Sequence, residues 1–204
     1  MRTFIRSTFV ALLLGAVTVP LVAQDIRAIS SGPERAGFWW GLGLGGGQAD
    51  VKCDICPNVD PETFPMLHFT LGATLSPSLT LGVQFGGGQK SGAFGTLSST
   101  DVAVGDANVS LYWYPMSTGN LWLQGGLAGV FYQEKDGSAK VSSVGGGLTL
   151  GAGYDFRMGR NMSITPSLRG AWGGKGKVTD QDGNTFDVNF QTNFVEAGVA
   201  ILWH

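Results

Sequence analysis

The chain has 204 residues, with 13 Lys+Arg against 15 Asp+Glu and a formal net charge of −2, which lacks the basic patch that nucleic-acid binding requires. Glycine, 33 of 204, is about twice its usual share but has no period of three, so a collagen-like helix is excluded. Two cysteines are too few for a disulfide scaffold.

Arg2 and Arg6 precede an apolar run from Phe9 to Val19, too short to cross a bilayer as a helix. Leu21-Val22-Ala23 then ends in a small residue. This predicts a secretory signal peptide over 1–23, cut after Ala23. The remainder, about 181 residues with 11 Lys+Arg and a charge near −4, suits one domain. Residues 24–36 are polar and aperiodic and read as a periplasmic lead-in; 37–204 read as one β-barrel domain.

From there the chain alternates with a period of two, which is strand behaviour. Strand one, about 37–49, sets Phe38, Trp40, Leu42 and Leu44 against Trp39, Gly41, Gly43 and Gly45. A loop over about 50–65 follows. Strand two, about 66–75, sets Leu67, Phe69, Leu71, Ala73 and Leu75 against Met66, His68, Thr70, Gly72 and Thr74. Ser76-Pro-Ser78 is a tight turn. Strand three covers about 79–90, a Gly/Ser-rich loop 91–98, and strand four 99–115. After a turn at Met116–Gly119, strand five takes 120–134, the Asp136-Gly137 pair makes a hairpin tip, and strand six takes 141–156. Residues 157–161 turn, strand seven covers 162–174, a loop 175–185, and strand eight 186–204. In strand eight Phe186, Val188 and Phe190 are apolar at even positions, whereas Val195, Ala197, Val199, Ile201 and Trp203 are apolar at odd ones. That slip predicts a β-bulge near 191–194, or a change from membrane wall to an extension above it.

Three features favour lipid over water around these strands. Segments 66–89 and 141–154 contain no Asp, Glu, Lys or Arg, where a wetted face would carry several. The second face is glycine, serine and threonine, which suits a narrow lumen. Connections alternate short and long, as in outer-membrane barrels. In lipid an open sheet edge leaves amides unpaired, so the sheet must close. The fold class is therefore all-β, an eight-stranded antiparallel up-and-down transmembrane barrel in an outer membrane. Phe38, Trp40, Tyr112, Trp113, Tyr114, Trp122, Tyr154, Phe156 and Trp203 fall toward the turns, where an interfacial aromatic girdle is expected. Phe131, Trp172 and Phe190 fall toward the loops.

The ending Glu196-x-Gly198-x-x-Ile201-x-Trp203 resembles the terminal signal read by barrel-insertion machinery; His204 is one residue beyond an aromatic that is usually last. The layout as a whole resembles the small eight-stranded outer-membrane barrels of the OmpA-transmembrane, OmpX and OmpW type. That resemblance implies the barrel-assembly machinery as a partner, and it matches no particular member's active residues.

Arg169 and Glu196 are the charged residues deepest in the wall, both on the lumen face. If Met162 pairs near Trp203 they fall opposite each other, and an interior ion pair is expected, as gate or as structural plug. Cys53 and Cys56, outside the cytoplasm, predict a local disulfide; zinc would need four ligands. Gly41-x-Gly43-x-x-Gly46 matches a dinucleotide fingerprint only formally, since a loop replaces the required helix. Asp180-x-Asp182-Gly183-Asn184 reads as a polar hairpin tip rather than a calcium loop. His68 with Thr70 is either a lumen-filling pair or the remnant of a lipid A deacylase arrangement, with no acid evident. His204 is expected to cap the last strand.

All six lysines lie in or beside the loops. Lys90, Lys135, Lys140, Lys175 and Lys177 form a rim that could meet lipopolysaccharide phosphates as point charges. The acids of the same loops make that surface net acidic, so divalent ions would have to bridge. The reading is a monomeric outer-membrane protein, not an enzyme, without cofactor or metal, acting structurally or through its outside loops. The alternatives are a narrow channel for small or apolar solutes, and a lipid A-modifying enzyme.

Overall fold

A computed structural model describes residues 36–55, 59–117 and 119–204. The expected signal peptide and the lead-in up to residue 35 lie outside the described residues, as does Cys56.

The strands are β1 (Phe38–Cys53), β2 (Glu62–Ser76), β3 (Leu79–Ser91), β4 (Asp101–Trp113), β5 (Leu121–Asp136), β6 (Ala139–Tyr154), β7 (Phe156–Arg157), β8 (Met162–Gly173), β9 (Gly176–Asp180) and β10 (Thr185–Trp203). Each pairs antiparallel with its neighbours, and β10 returns to β1. β7 continues the line of β6 along β8, and β8 and β9 together fill the place between β6 and β10. The result is a closed barrel of eight staves. Both described chain ends lie at the turn end, with the connections 77–78, 114–120 and 158–161; the loop end carries 54–61, 92–100, 137–138 and 181–184.

The strands run further toward the loop end than their composition predicted. Residues 50–53 and 62–65 belong to β1 and β2, and 176–180 form β9, so the expected loops 50–65 and 175–185 shrink. The reason is the inward alternation of Ala49 and Val51, and of Phe64 and Met66, all buried. Their burial outweighs the polar residues between them. Connection length therefore separates the two ends less sharply than expected. What separates them is polarity: beyond Phe131 and Val144 the outward residues of the β5–β6 pair become Gln133, Lys135, Lys140 and Ser142.

Leu42, Leu44, Leu67, Leu127 and Leu148 on the outward face are each more than half exposed. A soluble monomer rarely carries a continuous apolar surface of this kind, whereas hydrocarbon accepts it. At the turn end Trp40 and Trp203 stack across the β1–β10 seam, centroids 4.3 Å apart and 13° between planes.

Two expectations are corrected. Tyr112, Tyr114 and Trp122 do not join the girdle; they occupy inward positions and are 5–6% exposed. Their height suits an interface, but their parity sends them into the lumen. The predicted bulge at 191–194 is absent too: β10 stays in register with β1 from Trp203 to Phe190. The irregularity lies between Phe186 and Asn189, against β9. From Phe190 to Leu202 the even residues stay on the lumen side, and Phe194 is buried while Phe190 packs on the same apolar cluster. The lumen changes from polar to apolar there; the strand does not change face.

The Trp40–Trp203 stack should hold the seam. In a double-mutant cycle to alanine, read by urea unfolding in lipid, the pair should couple by about 0.5–1.5 kcal/mol beyond area burial. Coupling near zero would show that the seam is held by its backbone ladder alone.

Candidate functional site

The lumen is filled in three layers. At the loop end lies an apolar layer of Val51, Phe64, Met66, Val102, Val104, Val130, Tyr132 and Phe194, with Phe94 from connection 92–100. At the turn end lies an aromatic layer of Trp39, Tyr112, Tyr114 and Trp122 with Ala200 and Leu202. Trp39 meets Tyr112 edge-on at 5.5 Å, and Tyr112 meets Trp122 at 5.2 Å. Between them sits a belt of charge.

The belt is built on register. Met162 pairs with Trp203, and seven residues along each strand Arg169 faces Glu196. Arg169 Nε donates to Glu196 Oε2 at 2.8 Å, and its Nη2 lies 2.7 Å from the same oxygen. Arg169 Nη1 reaches across the lumen to Asp106 Oδ1 at 2.8 Å. Asp106 also accepts from Asn108 Nδ2 at 2.6 Å, and Asn108 accepts from Ser110 Oγ at 2.8 Å. Glu196 Oε1 is 3.0 Å from His68 Nδ1. All these side chains are buried. Charges taken out of water in this way are tolerable only when paired and hydrogen-bonded.

Glycine makes the belt possible. A Cβ on Gly43 would collide with the His68 ring, and one on Gly86 would stand 2.5 Å from Arg169 Nη2. The thin wall positions are where the large polar side chains fit. The Arg169 guanidinium also lies 5.2 Å from the Phe194 ring centroid, which joins the belt to the apolar layer above.

The sequence pointed to Arg169 and Glu196, and the structure brings them together. It did not point to Asp106, or to the contact between Glu196 and His68, because contacts across a lumen depend on closure and stagger rather than on strand neighbours. Glu196 gives His68 an acid, but His68 Nε2 abuts Gly43, not a hydroxyl. The residues do not form a nucleophile–base pair. A second buried acid, Asp155, was also missed. It follows β6 at the turn end and accepts from Tyr114 Oη (3.0 Å), Trp122 Nε1 (3.0 Å) and Thr165 Oγ1 (2.9 Å). His204 docks the chain end: its N–H donates to Asn161 O at 3.0 Å, and its Nε2 is 3.0 Å from Ser163 Oγ.

Below the belt a cavity of about 40 Å³ is lined by Trp39, Thr80, Gln84, Gln124, Arg169 and His204, among others. It is large enough to hold water. Trp39 Nε1 and Thr80 Oγ1, both buried without a protein partner, line it. Water there would satisfy them.

At the loop rim, Lys90 pairs with Glu62, Lys175 with Asp54 at 2.6 Å, and Lys52 with Asp50 at 3.6 Å. Lys135 and Lys140 are exposed and directly opposite in register, and Lys177 is exposed on β9. Cys53 is disulfide-bonded. Asp180 accepts from the backbone N–H of Asp182 (3.0 Å) and Asn184 (2.8 Å), the geometry of a self-capped turn. Among the described residues no three His, Cys, Asp or Glu converge as a metal site.

Arg169→Met should leave Asp106 and Glu196 facing each other unpaired, at a cost of about 3–5 kcal/mol in reversible unfolding. Adding Glu196→Gln to that variant should recover part of the loss; no recovery would mean the arginine acts through packing. At the rim, the hydrogen bonds from Lys175 and then Asn189 hold the Asp54 carboxyl below its ordinary 3.8. A depressed carboxylate keeps its partner above the unfolded value and releases it as pH falls through the lowered one. NMR titration should place Asp54 below 3.8 and Lys175→Met should return it upward; an unchanged value would discount the pair.

No family model matches the chain, and no curated protein matches it in sequence. Solved structures do match its fold. Neisserial surface protein A (NspA) is 12% identical with a TM-score of 0.58, over 80% of this chain and 96% of that one. The outer membrane protein OprG from Pseudomonas aeruginosa is 15% identical with a TM-score of 0.50, over 84% and 98%. With its closed ring of eight antiparallel staves and its apolar exterior, this chain has the fold of the small eight-stranded outer-membrane β-barrels.

Proposed function

We propose that this is an exported, monomeric outer-membrane protein whose role is structural or exercised through the loop end, which faces outside. In this reading residues 1–23 direct export and Glu196, Gly198, Ile201 and Trp203 present the ending to the barrel-assembly machinery. The observation that carries the reading is the filled lumen. The apolar layer, the Arg169 belt and the aromatic layer lie in series, and the cavity of about 40 Å³ occupies only the part below the belt. The cavity runs past the aromatic layer to His204, so the apolar layer and the belt are what close the lumen, and a barrel closed at those two levels acts through its surface, not through a bore.

Of the rim cations, Lys90 and Lys175 are engaged by Glu62 and Asp54. Lys135, Lys140 and Lys177 are the ones we assign to lipopolysaccharide phosphates, with divalent ions bridging the neighbouring carboxylates. The second reading, a narrow channel for small solutes, draws on the cavity that reaches His204 at the turn end. Single-channel recording on purified protein in planar bilayers separates the two. The structural reading expects a quiet membrane. Steady unitary conductance, abolished when the lumen is blocked, would replace it with the channel.

A further inference from the structure

Phe94 is the one non-glycine among the described residues with a positive φ, 55° with ψ 28°. A bulky side chain in that region is strained, and such strain persists only where the surroundings enforce it. Phe94 belongs to connection 92–100, between Gly92 at φ 66° and Gly95 at φ 76°. Its ring lies 5.6 Å from that of Phe64 and 6.3 Å from that of Tyr132. Ala93 beside it is fully buried, while Leu97 is 69% exposed. The connection dips two apolar residues into the barrel mouth and leaves a third outside.

Its hydrogen bonds close within the segment. Gly92 N–H donates to Thr100 O and Thr100 N–H to Leu97 O, each at 2.9 Å; Thr96 donates to Ala93 O through N–H (3.1 Å) and Oγ1 (2.8 Å). The β3–β4 ladder continues to Ser91↔Asp101, just beneath this unit. What fastens the unit over the mouth is therefore apolar contact by Ala93 and Phe94. Contacts of that type separate without leaving a buried donor or acceptor unpaired. Release would also relieve the strained backbone, and the glycine at position 92 absorbs the hinge rotation.

We propose that 92–100 is a hinged lid with Phe94 as its latch, and that it opens in the folded barrel and uncovers the apolar upper layer. This goes beyond a plugged barrel: it divides the lumen into a part with a movable cover and a part sealed by the belt.

Cysteine accessibility on the full chain in lipid bilayers tests this, with Cys53 already disulfide-bonded. Val130→Cys reports beneath the latch and Ser110→Cys reports within the belt network, where its Oγ bonds Asn108; both positions are at most 2% exposed. With a small methanethiosulfonate reagent, local opening should make Val130→Cys react about ten-fold faster than Ser110→Cys or more. Adding Phe94→Ala should speed Val130→Cys by about a further ten-fold and leave Ser110→Cys unchanged. Equal, slow reaction at both sites with Phe94 in place would show that no lid opens. No effect of Phe94→Ala on Val130→Cys would show that Phe94 is not the latch. Acceleration at both sites together would mean that the whole barrel loosens, which also overturns the proposal.

Discussion

Closure of β10 on β1 is the constraint on which everything else rests. The two strands pair without a shift from Trp40↔Trp203 to Cys53↔Phe190. With the seam made, no stave presents an open edge, and the outward face can be apolar from β1 round to β10. In hydrocarbon an unpaired amide has no water to turn to, so the seam is a condition for the wall, not an addition to it. Closure also decides which side chains meet across the inside. Arg169 finds Asp106 because β8 and β4, three staves apart, face one another across a narrow ring.

A narrow ring then forces a trade between neighbours. Each large inward side chain needs a position where another is missing. Gly43 yields to His68, Gly72 and Gly82 to Trp39, and Gly153 to Trp122. The high glycine content is the complement of the bulky lumen residues and does not mark a loose chain. The same economy of space explains why the belt is paired: once Arg169 is admitted, Asp106 and Glu196 are near enough to engage it, and Asn108 and His68 bond those carboxylates in turn, while Arg169 Nη2 is held by charge alone.

Parity was legible in the sequence wherever strands alternate, because period two does not depend on what lies across the barrel. The Arg169–Glu196 register was legible as well, since it required only the assumption that Met162 stands by Trp203. The contacts of Asp106 and Asp155 were not, as they depend on closure, stagger and the bend after Tyr154. Tyr112, Tyr114 and Trp122 are a different case. Even numbers on β4 and β5 face inward, like Asp106 and Gln124, so the signal was present but height along the strand was given more weight than face. The apparent slip near 191–194 has the same root. A change in the chemistry of the lumen from Glu196 to Phe194 and Phe190 imitates a change of face when lumen positions are assumed to be polar throughout.

The order of the layers bears on conduction. Loosening the belt means separating Arg169 from two carboxylates, each tied to a further partner, and supplying water to all of them. The apolar layer above it, with Phe94 seated on Phe64 and Tyr132, offers that water no hydrogen bonds. The two layers are held by different forces, the belt by ion pairs and hydrogen bonds and the layer above it by burial of apolar surface, so the loss of one set of contacts does not require the loss of the other. Displacing the latch would wet the mouth down to Phe194 and stop at the guanidinium stacked on that ring. In the proposed reading, two unlike barriers in series would keep the lumen closed even while its outer cover moves, and that combination suits a surface element with a mobile mouth better than it suits a pore.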